Sequence, residues 1–111
     1  MRDHTSLHAW QEAHATNIAV IQLCRSGWKP YASALFNQLQ RASLSVQLNI
    51  AEGYTFGESQ LSQGILGIAY RSAVETVELL RLAIDGEIVD AEVINPPIKR
   101  AQRTDACLWV C

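Results

Sequence analysis

The chain has 111 residues, 49% of them hydrophobic, with a formal net charge of -2. That composition fits a single domain, 1–111, with ample side chains for one core, and it argues against intrinsic disorder. The mild acidity, pI near 5.8, leaves no global basic field for nucleic acid, and no apolar run approaches the ~20 residues of a membrane span.

The opening MRDHTSLHAW lacks the apolar stretch of a signal peptide, so a cytoplasmic protein is expected. Thr5 or Ser6 is the expected N-cap of a first helix ending near Gly27. Its apolar stripe comprises Leu7, Trp10, Ala13, His14, Asn17, Ile21 and Cys24. His14 and Asn17 are then core polar groups that need internal partners. His4 and His8 share i, i+4 spacing, but no third ligand accompanies them, and no metal site is expected. Cys24, Cys107 and Cys111 are odd in number and outside any C-x-x-C spacing, as free thiols in a reducing compartment would be.

Gly27-Trp28-Lys29-Pro30 is a short connection, and Pro30 suits a first helical turn because its missing N–H costs nothing there. Helix two is predicted to run to Glu52, with Gly53 as its C′ residue. At a helical step, Leu35, Leu39, Ala42, Val46, Ile50 and Gly53 fall on one stripe. Beside it runs a polar ribbon of Gln38, Arg41, Ser45, Asn49 and Glu52. Leu44, Leu48 and Ala51 form a further apolar patch. Tyr54-Thr55-Phe56-Gly57 reads as the second loop.

Glu58 or Ser59 opens helix three, which runs to about Asp85 and ends at Gly86. It carries two apolar faces turned about 110° apart at the helical period. Leu61, Ile65, Ile68, Ser72, Leu79, Leu82 and Ala83 form the first. Leu66, Ala69, Ala73, Val77, Leu80 and Ile84 form the second. Gly64 and Gly67 weaken the helix intrinsically, and their small size would suit close helix approach. Helix four has two readings. One is a kinked helix from 90 to about 109; the other is a fresh helix with Asn95 as N-cap and Pro96 at N1, which we prefer. Ile94, Ile98, Ala101 and Leu108 would face the core. Four helices with short connections imply an all-α, up-down-up-down antiparallel bundle.

The run QLQRASLSVQLNIAEG, Gln38 to Gly53, resembles the signature of the 23S rRNA-intervening sequence proteins, also called simply four-helix bundle proteins. Its Asn49-Ile50-Ala51-Glu52-Gly53 end is the most specific part. The segment Ile68 to Glu75, IAYRSAVE, is similar to the family's Ala-x-Gly-Ser-x-x-Glu, with Arg71 in place of the usual Gly. Trp10-Gln11-Glu12-Ala13 fits its N-terminal Trp-x-x-Ala. The tail Ala106 to Cys111 departs from the family's Leu-rich ending. The resemblance implies a four-helix bundle. It extends to the accessory proteins of diversity-generating retroelements, basic bundles that form pentameric barrels and partner a reverse transcriptase with its RNA.

No nucleophile–base order, phosphate-binding glycine loop or cofactor motif is present, so no catalytic residue and no cofactor are expected. Glu52 and Glu75 are the most interesting acids, but a di-metal bundle needs Glu-x-x-His motifs, and helices two and three contain no histidine. Ser45, Asn49, Glu52, Ser72 and Glu75 read instead as an interhelical network, with Gln38 alongside and Arg41 or Arg71 neutralising an acid. The alternative is that the ribbon lines a ligand groove, though no small-molecule substrate is identifiable. A single bundle cannot bury two apolar faces on two helices, so a homo-oligomer is expected, pentameric by the resemblance. Its interface is assigned to Leu44, Leu48, Leu66, Ala69, Ala73, Val77 and Leu80. Nucleic acid is the rival partner, contacted through Arg81, Lys99, Arg100 and Arg103 in a weak, salt-sensitive way.

Overall fold

The computed structural model describes residues 3–92, 96, 99 and 102–104. Asp3 accepts hydrogen bonds from the Thr5 N–H at 3.0 Å and from its hydroxyl at 2.6 Å, which winds His4–Ser6 into a short 3-10 turn. This turn takes the place of the expected cap. The first long helix, α1 (His8–Gly27), starts after Leu7 with no side-chain cap. Pro30 also nucleates a 3-10 turn, Pro30–Ala32, ahead of α2 (Ser33–Thr55). Trp28 stacks on Phe36 in the first turn of α2, ring centroids 5.1 Å apart, and fixes the α1–α2 connection.

Helix α2 does not end at Glu52. It continues through Gly53, which is buried. A Cβ at Gly53 would stand 2.9 Å from both Cγ and Cδ2 of Leu66, so this glycine lets α2 and α3 approach closely. The residue that turns the chain is Gly57, at φ 69°. Ser59 caps α3 (Gln60–Asp85) by accepting from the Ser62 N–H at 3.0 Å. Ser62 in turn donates its hydroxyl to the Gly53 carbonyl at 2.7 Å, joining the two helices where they are closest. The role expected of Gly64 and Gly67 therefore falls to Gly53. A Cβ at Gly64 would meet open space, and one at Gly67 would meet only the Arg71 guanidinium.

Gly86 follows α3 as expected, its N–H donating to the Leu82 carbonyl at 2.8 Å, but the left-handed residue is Glu87, at φ 56°. Asp90 then accepts from the Glu92 N–H at 3.1 Å, and helical backbone recurs at 91–92, 96, 99 and 102–104. The choice between the two readings of helix four turns on Asn95, which lies outside the described residues, as do Ile94, Ile98, Ala101, Leu108, Cys107 and Cys111.

The result is an all-α bundle, 42 × 21 × 21 Å. Hydrogen bonds set the order of its helices. Asn17 on α1 bonds to Ser43 and Gln47 on α2, while Ser45 and Gln38 on α2 bond to Ser72 and Glu75 on α3. Both pairings are antiparallel. Val89 approaches Gly27 and Arg103 pairs with Glu12, so the last segment runs back along α1.

The core is in two parts. One cluster gathers Val20, Leu23, Cys24, Phe36, Leu39, Leu80 and Ala83; the other gathers Ala9, Ala13, Val46, Ile50, Ala69 and Ala73. Between them lie Thr16, Ser43, Thr76 and Thr104, all buried, one from each helical segment, around a void of about 10 Å³. Three of these hydroxyls donate to their own helix: Thr16 to the Glu12 carbonyl, Ser43 to Gln40 and Thr76 to Ser72. Their backbone demand is met locally, so they present mainly carbon to the void.

Candidate interaction surface

The stripe expected on α2 is the one that enters the core: Leu39, Ala42, Val46, Ile50 and Gly53 are buried. On α3 the two apolar faces have exchanged roles. Ala69, Ala73, Val77 and Leu80, assigned to an oligomer interface, are buried in the chain's own core, and Leu66 is half-buried against it. The physical reason is size and polarity. Ser62, Ala69 and Ala73 are small enough to admit α2 at Gly53, whereas Ser72 and Glu75 on the other face need polar partners. Leu61, Ile68 and Leu82 consequently point outward.

Leu44 and Leu48 on α2 are 52% and 54% exposed, as a second apolar patch requires. Sequence reading missed α1, where Ile18 and Ile21 are also exposed; Ile21 was expected in the core. The hydrogen-bonded register places Asn17 beside Ser43, hence Ile18 beside Leu44. It places Ser45 beside Ser72, hence Leu48 close to Ile68. These residues form one broad apolar face centred on α2.

Polar side chains run along both seams of that face. On the α2–α3 seam the Ser72 hydroxyl donates to the Ser45 hydroxyl at 2.9 Å. Asn49 donates from its side-chain nitrogen to the Ser45 carbonyl at 2.8 Å and hydroxyl at 3.0 Å. Further along the seam, the Gln38 amide donates to a Glu75 carboxylate oxygen at 2.6 Å. Arg41 and Glu52 are exposed and make no hydrogen bond or ion pair among the described residues. The expected network is thus two local pairings rather than one continuous ribbon. On the α1–α2 seam Gln47, which the sequence did not single out, joins two polar residues that it did. Asn17, Gln47 and His14 form a hydrogen-bonded chain, with the His14 ring stacked on Trp10 at 4.8 Å and 9° between planes. Asn17 is buried and satisfied, but His14 is exposed, contrary to expectation.

The sequence profile of the 23S rRNA-intervening sequence proteins matches residues 5–109. The chain belongs to that family. The fold is also that of a crystal structure, at 1.70 Å resolution, of a protein with unknown function from the S23 ribosomal protein family of Bacteroides thetaiotaomicron VPI-5482. The two are 19% identical, with a TM-score of 0.77 over 90% of this chain and 94% of that one. No curated protein matches the chain.

In this intervening-sequence protein the signature run from Gln38 to Gly53 supplies the central strip of the apolar face on one side and the core on the other. Of the cations expected to touch nucleic acid, one is engaged within the chain. Arg103 reaches back to the buried Glu12 Oε2 at 3.2 Å, off the line of a hydrogen bond. Arg81 and Lys99 are exposed, and Arg100 lies outside the described residues. His8 stands 3.8 Å from Glu12, and His4 packs edge-on against Trp10. Among the described residues, no group of three or more His, Cys, Asp or Glu is placed to hold a metal, and no helix is long and apolar enough to cross a membrane. Cys24 is a free, buried thiol, and burial pushes its pKa up. A half-open groove of about 420 Å³ lies at the α2–α3 turn, lined by Leu7, Ile50, Tyr54, Glu58, Ser62 and Leu66 among others. None of the ribbon residues lines it.

Proposed function

We propose that this protein is a non-enzymatic, cytoplasmic interaction module that acts as a homo-oligomer, assembled through the outer face of α1, α2 and α3. The supporting observation is the exposure of Leu44 and Leu48 on a helix whose opposite side is already core. With Ile18, Ile21, Leu61 and Ile68 around them, they make an apolar face of a kind that soluble monomers rarely leave uncovered. A second copy of the chain offers a matching apolar surface, and a closed cyclic assembly would leave none of it to water. A ring of five is the form the resemblance implies. The free thiol of Cys24 fits a reducing compartment. A nucleic-acid surface is the weaker reading, because Arg103 is engaged with Glu12 inside the chain.

Light scattering and sedimentation on the purified protein test the reading. A discrete oligomer is expected at micromolar concentration, and Leu48→Glu should reduce it to a monomer that keeps its helical content and melts cooperatively. A monomeric parent protein refutes the proposal. An oligomer unchanged by Leu48→Glu moves the interface elsewhere.

A further inference from the structure

We infer that protonation of His14 switches this self-association off. The inference rests on the homo-oligomer reading above and adds its regulation. It starts from Asn17, buried between α1 and α2. The Asn17 side-chain nitrogen lies 3.2 Å from the Ala13 carbonyl, 2.9 Å from the Ser43 carbonyl and 2.8 Å from Gln47 Oε1. Backbone carbonyls can only accept, so the nitrogen of Asn17, and not its oxygen, must face them. Gln47 therefore turns its oxygen to Asn17 and its nitrogen to His14, where Nε2 lies 2.9 Å from Nδ1. His14 Nδ1 must then accept. With Nδ1 accepting, the neutral ring carries its proton on Nε2.

A proton on Nδ1 sets two donors face to face across 2.9 Å. Gln47 cannot relieve this by turning its amide over, because its nitrogen would then oppose that of Asn17. Asn17 cannot turn either, because its oxygen would oppose two carbonyl oxygens. Protonation therefore opens the Gln47 bridge between α1 and α2. It also leaves a cation one turn from Ile18, on the apolar face that a second copy would cover.

The surroundings of His14 offer that cation the π face of Trp10 but no counter-charge among the described residues. Its ring stacks on Trp10, whose other neighbour is His4, 5.5 Å away and edge-on. From α2 the group facing it is the neutral Gln47. Glu12 is committed to Arg103 and to His8, and no carboxylate among the described residues forms an ion pair with His14. Imidazole side chains as a class change charge between pH 5 and 8, the range over which the proposal is tested.

The full chain at fixed micromolar concentration and ionic strength is weighed by light scattering and sedimentation from pH 8 to pH 5.5. The association constant should fall by about tenfold or more, as expected for placing an unpaired charge on the apolar face that association covers. His14→Gln should assemble at pH 8 and keep its mass at pH 5.5, while His4→Gln should behave like the parent. Nitrogen NMR of the ring at pH 8 should show the proton on Nε2 of His14. An oligomer whose mass holds through pH 5.5, a His14→Gln protein that still dissociates, or a proton on Nδ1 overturns the inference. A monomer already at pH 8 removes the homo-oligomer reading itself, and this inference with it.

Discussion

Replacing Gly53 by alanine sets two effects of opposite sign against each other. Alanine is about 1 kcal/mol better than glycine inside a helix, and Gly53 lies inside α2. Against that, the new methyl would stand 2.9 Å from Cγ and Cδ2 of Leu66. Rotation about the outer bond of Leu66 moves its methyls but leaves Cγ in place. Relief needs a new χ1 rotamer or a wider gap between α2 and α3, and overpacking of this kind costs about 1–3 kcal/mol. Steric cost wins, with a net loss of about 1 kcal/mol or somewhat more. For a domain of this size the melting temperature should fall by roughly 4–8 °C, read by circular dichroism at fixed concentration. The sign should reverse when the obstacle goes: in a Leu66→Ala background, Gly53→Ala should raise the melting temperature. Gly64→Ala, facing open space on α3, should raise it in the parent protein. A stabilising Gly53→Ala in the parent, or an equal effect in both backgrounds, refutes the close-approach account.

Asn17→Ala should cost about 1–3 kcal/mol, because it leaves buried acceptors on α1 and α2 without their donor. Asn49→Ala should cost less, since Asn49 is half-buried and bonds within its own helix to Ser45; equal shifts in the urea midpoint would contradict this ordering. Cys24 gives a pH effect of defined sign. Burial raises its pKa above the ordinary value of 9.0, so the folded protein holds that proton more tightly than the unfolded chain does. The corresponding stability is fully present below pH 9 and is lost as pH rises through the folded value. Stability measured from pH 8 to pH 10.5 should decline less in Cys24→Ala than in the parent, and parallel declines would show that the thiol is not responsible.

The sequence exposed the bundle where an apolar stripe has a polar border. Leu39, Ala42, Val46 and Ile50 recur at the helical period with a polar ribbon beside them, and that pattern marks this side of α2 for the core. Ser59 and Gly86 mark the ends of α3 by local chemistry, which needs no tertiary information. The exchanged faces of α3 were not legible. Both are apolar, and the choice depends on Gly53 admitting Leu66, a contact between residues 13 apart in the chain. Ser45, Asn49 and Ser72 could be paired because short side chains on adjoining stripes meet only where helices touch. Gln47 was passed over because it lies off the ribbon, and its long side chain reaches His14 from there. The Arg103–Glu12 pair was hidden for a similar reason: a solvated cation on a helix looks the same in sequence whether or not a carboxylate waits across the groove.

The two halves of the core are unequal in a way that bears on how the molecule breathes. The cluster around Phe36, Leu39, Leu80, Val20 and Leu23 is built from large side chains, while its counterpart is mostly Ala9, Ala13, Ala69 and Ala73 with Val46 and Ile50. Opening free energy follows the apolar surface exposed, so the alanine-rich half opens at lower cost. Thr16, Ser43 and Thr76 bond back to their own helices, and those bonds do not tie the halves together. Amide hydrogens around Ile50 and Ala69 should therefore exchange with solvent through partial openings that leave Phe36 and Leu80 protected. The α2–α3 turn and its groove sit at the end that yields first.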